Sequence, residues 1–386
     1  MVGECGGPFL TTPAGGRVRG ERDQQRVFHT LDGLRGVAAL FVAMRHTSFF
    51  HHVGIHGGYL AVDLFFVLSG FVIAHAYEHR LAAGLSVGRF LAMRYLRLWP
   101  VYALGALLGL VAAAVQALPG KDNLSLTEVV RTAPFALAML PGPHIKSMLY
   151  PVNSVAWSLA LELLVNVAYA LVWRPMRQPF VLAAVLAASA IALVGAACWF
   201  GKLDIGFTWS NAWGGIPRVL FSFTAGLAVY RLRQRWTWRP GVPAWVPLLV
   251  LPALLWVKVD PVIYPLVCVL ALFPLIVLVA LETRPGARTV RVFAWLGLAS
   301  YPLYALHKPA GEIVTWLLRH QAPWALPWTV WIGVPYLAAM TALCLVVERF
   351  YDRPARRRLT LAMEWTIAVA RRRWGRASDG AELAAE

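Results

Sequence analysis

The chain is 386 residues long, 59% hydrophobic and only 14% charged, with a positive mean hydropathy. Soluble domains carry about a quarter charged residues, so this composition argues against a water-soluble globule and places the chain in a bilayer. The net charge of +17 sits in short arginine clusters between long apolar runs, which fits basic loops against anionic lipid and speaks against a nucleic-acid partner.

Residues 1–30 lack the apolar core of a secretory signal and read as a flexible cytoplasmic leader that stays on the protein. About ten apolar stretches follow, each long enough or nearly so to cross roughly 30 Å of hydrocarbon as a helix. They lie near residues 33–50, 58–77, 98–117, 155–173, 180–200, 216–231, 242–257, 261–281, 293–318 and 325–347. The expected fold is all-α, a polytopic membrane bundle of about ten transmembrane helices over residues 31–350. The long connection at 119–154 is rich in proline, and its run from Phe135 to Leu140 suits a short interfacial or re-entrant helix. Residues 351–386 read as a basic amphipathic helix on the cytoplasmic leaflet with an acidic tail.

Basic residues accumulate on the cytoplasmic side of membrane proteins, which fixes an orientation. Arg17, Arg19, Arg22 and Arg26 precede the first stretch, Arg80, Arg89, Arg94 and Arg97 follow the second, and Arg174 and Arg177 follow the fourth. Arg231, Arg233 and Arg235 follow the sixth, Arg284, Arg288 and Arg291 the eighth, and Arg349, Arg353 and Arg356 the tenth. The alternating connections are poor in Lys and Arg, so both termini are expected in the cytoplasm. The scattered cysteines (Cys5, Cys198, Cys268 and Cys344) offer neither a disulfide framework nor a zinc spacing. His51, His52 and His56 share their loop with no carboxylate, so no metal site is expected.

Ionisable groups at membrane depth each cost about 2.5 to 3.5 kcal/mol on insertion scales, so each calls for a partner or a polar cavity. Arg35 and His46 lie on the first stretch, about 16 Å apart in rise and within roughly 20° of one face. Asp63, a few residues into the second stretch, reaches similar depth to His46. It suits either a carboxylate that orients an imidazole or a plain interhelical hydrogen bond. Glu162 and His307 fall mid-stretch and fit one polar cavity, or structural bonds to neighbours. Arg94 and Arg97 share a helix face and suit either a phosphate clamp or ordinary membrane anchors.

Taken together these segments resemble the acyltransferase 3 family of membrane-bound O-acyltransferases. LDGLRGVAALFVAMRH, with Arg35 and His46, is similar to its opening helix, and GGYLAVDLFFVLSGFVI, with Asp63 and Ser69, to its second-helix motif. Arg94 and Arg97 in RYLRLWPVY match its paired arginines. Trp157 and Glu162 match its fourth-helix motif, Tyr301 and His307 its late helix. Ala61 stands where many relatives have glycine, and Leu164 to Asn166 depart from the residues that usually follow the motif glutamate.

The resemblance implies transfer of an acyl group, commonly acetyl, from cytoplasmic acyl-CoA to a hydroxyl of a cell-surface glycan or related acceptor, in the bacterial inner membrane. His46, Asp63 and Glu162 would be catalytic, Arg35, Arg94 and Arg97 would bind the donor, and Ser69, Trp157, Tyr301 and His307 would line the cavity. Acyl-CoA is the donor substrate and no metal is implied. Some relatives append an extracytoplasmic domain that finishes the transfer; here the chain would act alone or with a separate extracytoplasmic transferase. Alternatives are an acyltransferase for a small molecule such as a macrolide, or a proton-coupled transporter, which the lack of internal repeats disfavours.

Overall fold

The computed structural model describes residues 28–117, 124–235, 241–257 and 260–383, so most of the expected leader and the last three residues of the tail lie outside the described residues. Regular structure among them is helical, apart from one isolated β-bridge between Met148 and Thr208. The helices are α1 (His29–His46), α2 (Ala61–Ala82), α3 (Val87–Ala117), α4 (Leu126–Leu137), α5 (Ala156–Val172), α6 (Pro179–Phe200) and α7 (Gly215–Arg235). They continue as α8 (Trp245–Trp256), α9 (Ile263–Glu282), α10 (Ala287–Gln321), α11 (Thr329–Val347) and α12 (Arg353–Leu383).

Among the described residues, six helical segments are long and apolar enough to cross a membrane: Gly57–Ala82, Val87–Ala117, Pro179–Phe200, Ala212–Arg235, Ile263–Glu282 and Trp331–Val369. The other four expected stretches also form helices but fall below that standard. α5 and α8 have only 17 and 12 residues. α1 carries Asp32, Arg35 and Arg45, and α10 carries Lys308 and Glu312. Three of these four, α1, α5 and α10, hold His46, Glu162 and His307; α5 falls short in length alone, whereas polar and charged residues lower the hydropathy of α1 and α10.

Three boundaries differ from expectation. α1 stops at His46, where Thr47 becomes extended, and two short 3-10 turns, Ser48–Val53 and Gly57–Leu60, lead into α2. His46 is thus the last residue of its helix rather than inside it. α3 begins about three turns early, which puts Arg94 and Arg97 within a continuous helix. The tail helix is joined to the last expected stretch without a break, because α11 runs through a π-turn at Glu348–Asp352 directly into α12.

The long connection does contain a helix, α4, whose last turn includes Phe135. Ser125 and Glu128 close a capping box at its start, and the bonds from Ser125 hold the Glu128 carboxyl below its ordinary range.

Two close helix pairs set the architecture. α1 lies parallel to α10, with Gly36 against Leu296 and Gly297 against Asp32, where an added Cβ would sit 2.6 Å from the Asp32 Cβ. α2 lies parallel to α7, with Gly70 against the Phe223 carbonyl and Gly226 against the Val67 carbonyl. Small residues let backbones approach in a membrane, where van der Waals packing drives helix association. Gly226→Val should therefore push α2 from α7 and cost at least about 1–3 kcal/mol. A lower thermal midpoint in detergent would register it, whereas an unchanged midpoint would mean the pair is not close-packed.

α10 also carries Pro302 and Pro309. Proline removes the N–H that would bond the carbonyl four residues earlier. For Pro309 that is Ala305, and its freed oxygen accepts from Asn153 Nδ2 at 3.0 Å. The bond anchors the 124–154 connection beside His307.

Candidate active site

The parallel α1 and α10 bring their last polar residues together. His46 Nδ1 is 2.9 Å from the Val42 carbonyl, and His307 Nδ1 is 2.9 Å from the Leu303 carbonyl. A carbonyl only accepts, so each Nδ1 carries the proton. His307 Nε2 lies 3.3 Å from His46 Nδ1 and can share its N–H as second acceptor, with ring centroids 5.3 Å apart. This leaves the Nε2 lone pair of His46 as the basic atom offered to the cavity that His46 lines.

That cavity, of about 450 Å³, is also lined by Arg45, Tyr59, Trp157, Asp204 and Lys308. Arg45 donates to Asp204 Oδ2 at 2.7 Å, and Lys308 pairs with Glu312 at 2.7 Å. The polar wall with aromatic faces beside a basic imidazole suits a hydroxyl-rich ligand.

A second cavity, of about 180 Å³, lies toward the end of the bundle where α1 begins. Arg35, Arg94 and Arg97 line it, with Ser69, Glu162 and Tyr301. Glu162 Oε1 accepts from Arg94 Nη2 at 3.0 Å and from Ser69 Oγ at 2.9 Å, and the Tyr301 hydroxyl donates to the Leu98 carbonyl. Arg97 Nη1 is 3.6 Å from the buried Asp352. Two buried donors, Arg94 Nε and Arg97 Nη1, have no acceptor, a deficit that an anionic ligand would satisfy. Val62 and Tyr304 line both cavities, with the Tyr304 hydroxyl 2.5 Å from Ser158 Oγ.

Asp63 departs from expectation. It lines neither cavity, and its carboxylate is gripped by Arg218, Nη2 to Oδ2 at 2.6 Å and Nε to Oδ1 at 3.2 Å, with both side chains fully buried. The helix period explains this. Asp63, Val67 and Gly70 share the face of α2 that packs on α7, while Val62, Phe66, Ser69 and Ile73 share the face toward the arginine cavity. His46 takes His307 and the Val42 carbonyl as partners instead. Glu162 both lines the arginine cavity and bonds its neighbours Arg94 and Ser69.

Arg218, Arg45, Asp204 and Lys308 were missed. Arg218 donates to the Ile205 and Tyr59 carbonyls at 2.6 and 3.4 Å and lies over the Trp157 ring, 5.3 Å from its centroid. It thereby fixes the two loops that carry Asp204 and Tyr59 to the wall of the histidine cavity. A signal existed: Arg218 stands at the end of its stretch where basic residues should be scarce.

Residues 28–349 match the sequence pattern described as an acyltransferase domain, Acyl_transf_3. The chain belongs to the acyltransferase 3 family. This acyltransferase is 26% identical over 346 residues to a protein of Komagataeibacter xylinus named as a membrane-bound transacylase, BcsY, an alignment covering 82% of this chain and 79% of the relative. It is 42% identical over 188 residues to protein 2 in the picA locus of Rhizobium radiobacter, covering 45% of this chain and 96% of the relative. No solved structure matches this acyltransferase.

Proposed function

We propose that this membrane acyltransferase takes an acyl group, in the first instance acetyl, from acyl-CoA held at the arginine cavity and places it on a hydroxyl of a glycan or related acceptor in the histidine cavity. The observation that carries the reading is the pair of cavities sharing Val62 and Tyr304: one is lined by three arginines, two of which keep an N–H donor without a hydrogen-bond acceptor, the other by a basic imidazole. Arg35, Arg94 and Arg97 bind the donor's phosphates, with Glu162 and Ser69 holding Arg94 in place. His46 Nε2 removes the acceptor O–H proton as that oxygen attacks the thioester carbonyl. The C–O bond forms, the C–S bond breaks, and the departing CoA thiolate recovers the proton from the imidazolium. His307 Nε2 accepts from the His46 Nδ1–H and steadies the positive ring.

The arginine distribution supports a cytoplasmic arginine cavity and cytoplasmic termini, with the chain in a bacterial inner membrane. The parallel packing of α1 with α10 and of α2 with α7 agrees with helices of alternating direction. The acceptor then enters from the opposite side, and the chain acts alone or passes the acyl group to a separate extracytoplasmic transferase. Incubating the purified protein with labelled acetyl-CoA and a surface-glycan fraction tests this. Released CoA with labelled glycan is expected; absence of thioester turnover would favour the transporter alternative.

Charge-assisted hydrogen bonds contribute about 1.5–3 kcal/mol. Arg97→Gln should therefore raise KM for acyl-CoA by about tenfold to a hundredfold with a smaller change in kcat. Steady-state kinetics at varied donor concentration reads the split.

A further inference from the structure

We infer that a groove on the outer surface of α6, α7 and α9 is a binding site for one bilayer phospholipid with an anionic headgroup. The groove has a volume of about 450 Å³ and is almost wholly apolar, walled by Leu182, Leu186, Val229 and Leu278 over a floor of Ala225 and Ala228. At one end stand Arg177, Arg231 and Arg235. The lining on α7 from Phe221 to Leu232 rises about 16 Å, close to one leaflet of a hydrocarbon core of about 30 Å. The groove thus matches a lipid chain in length, with arginines at its polar end.

The charge at that end is not balanced internally. Glu78 takes Arg231 at 2.6 Å and Arg177 at 3.3 Å, one carboxylate for two guanidiniums, and Arg235 has no ion pair among the described residues. Trp173, against Arg174 and Arg177 at 5.5 and 6.0 Å, marks the headgroup level where tryptophans concentrate. A phosphodiester there completes the cluster, as in basic pockets that hold anionic lipid headgroups between membrane helices. A zwitterionic lipid such as phosphatidylcholine also brings a phosphodiester, but its choline cation cancels that charge and is repelled by the arginines.

The purified full chain in detergent is titrated with phosphatidylglycerol or phosphatidylcholine, while thermal midpoint and native mass spectrometry report bound lipid. Phosphatidylglycerol should raise the midpoint by several degrees with one lipid retained, and phosphatidylcholine should not. Arg177→Gln with Arg235→Gln should weaken phosphatidylglycerol binding at least tenfold. Ala183→Phe, at an exposed groove position, should do the same with the arginines intact. Equal stabilisation by the two lipids, or binding within twofold of the parent in both variants, would overturn the proposal. So would preferential retention of a co-purified polyprenyl phosphate.

Discussion

His46→Ala is expected to lower acyl transfer by about 10²- to 10⁴-fold, the range a positioned general base supplies. Donor affinity should stay within about twofold, because the arginines that would hold the phosphates line the other cavity. The side chain sits at a helix end and, among the described residues, bonds only Val42 and His307, so its removal leaves the bundle intact, and size-exclusion profiles should match the parent. His307→Gln should give a smaller loss. Acid-quenched reactions with labelled acetyl-CoA separate two forms of the mechanism: a base leaves no label on the protein, whereas an acyl-histidine intermediate would carry label that His46→Ala abolishes.

Breaking the Asp63–Arg218 pair carries the largest expected effect on stability. Both side chains are fully buried, and removing one partner of such a pair strands the other charge at a cost of about 3–5 kcal/mol. Asp63→Asn and Arg218→Met should each depress the thermal midpoint in detergent sharply. The double variant Asp63→Leu with Arg218→Met strands no charge and should recover most of that stability. Activity should not recover, because Arg218 also holds the Ile205 and Tyr59 carbonyls beside the cavity. A double variant that regained full transfer would reduce Arg218 to a structural counter-ion.

The membrane character and the helical class were legible in the sequence because they depend on runs and counts along the chain. Depth counting placed Arg35 apart from His46 and Asp63 level with His46. It carries no information on azimuth, and Val62 and Asp63 differ by about 100° around α2. That single step separates a cavity wall from a helix interface, and it is why the expected His46–Asp63 pairing gave way to His46–His307. Asp204 reaches the site from an irregular loop, where no periodicity announces contact. Arg218 was announced by charge placement alone, and a rule that tests every arginine on the basic-poor side would have found it. The continuity of α11 with α12 was hidden by the polar Glu348–Asp352 segment, which looks like a helix end in sequence and forms a π-turn in the structure.

The central claim, donor held by arginines in one cavity and proton abstraction by the histidine in the next, is tested most directly by equilibrium binding of labelled acetyl-CoA to three purified proteins. The parent and His46→Ala should bind alike, and Arg35→Gln with Arg97→Gln should bind at least tenfold more weakly. Donor binding lost in His46→Ala, or unchanged in the arginine variant, would contradict the account.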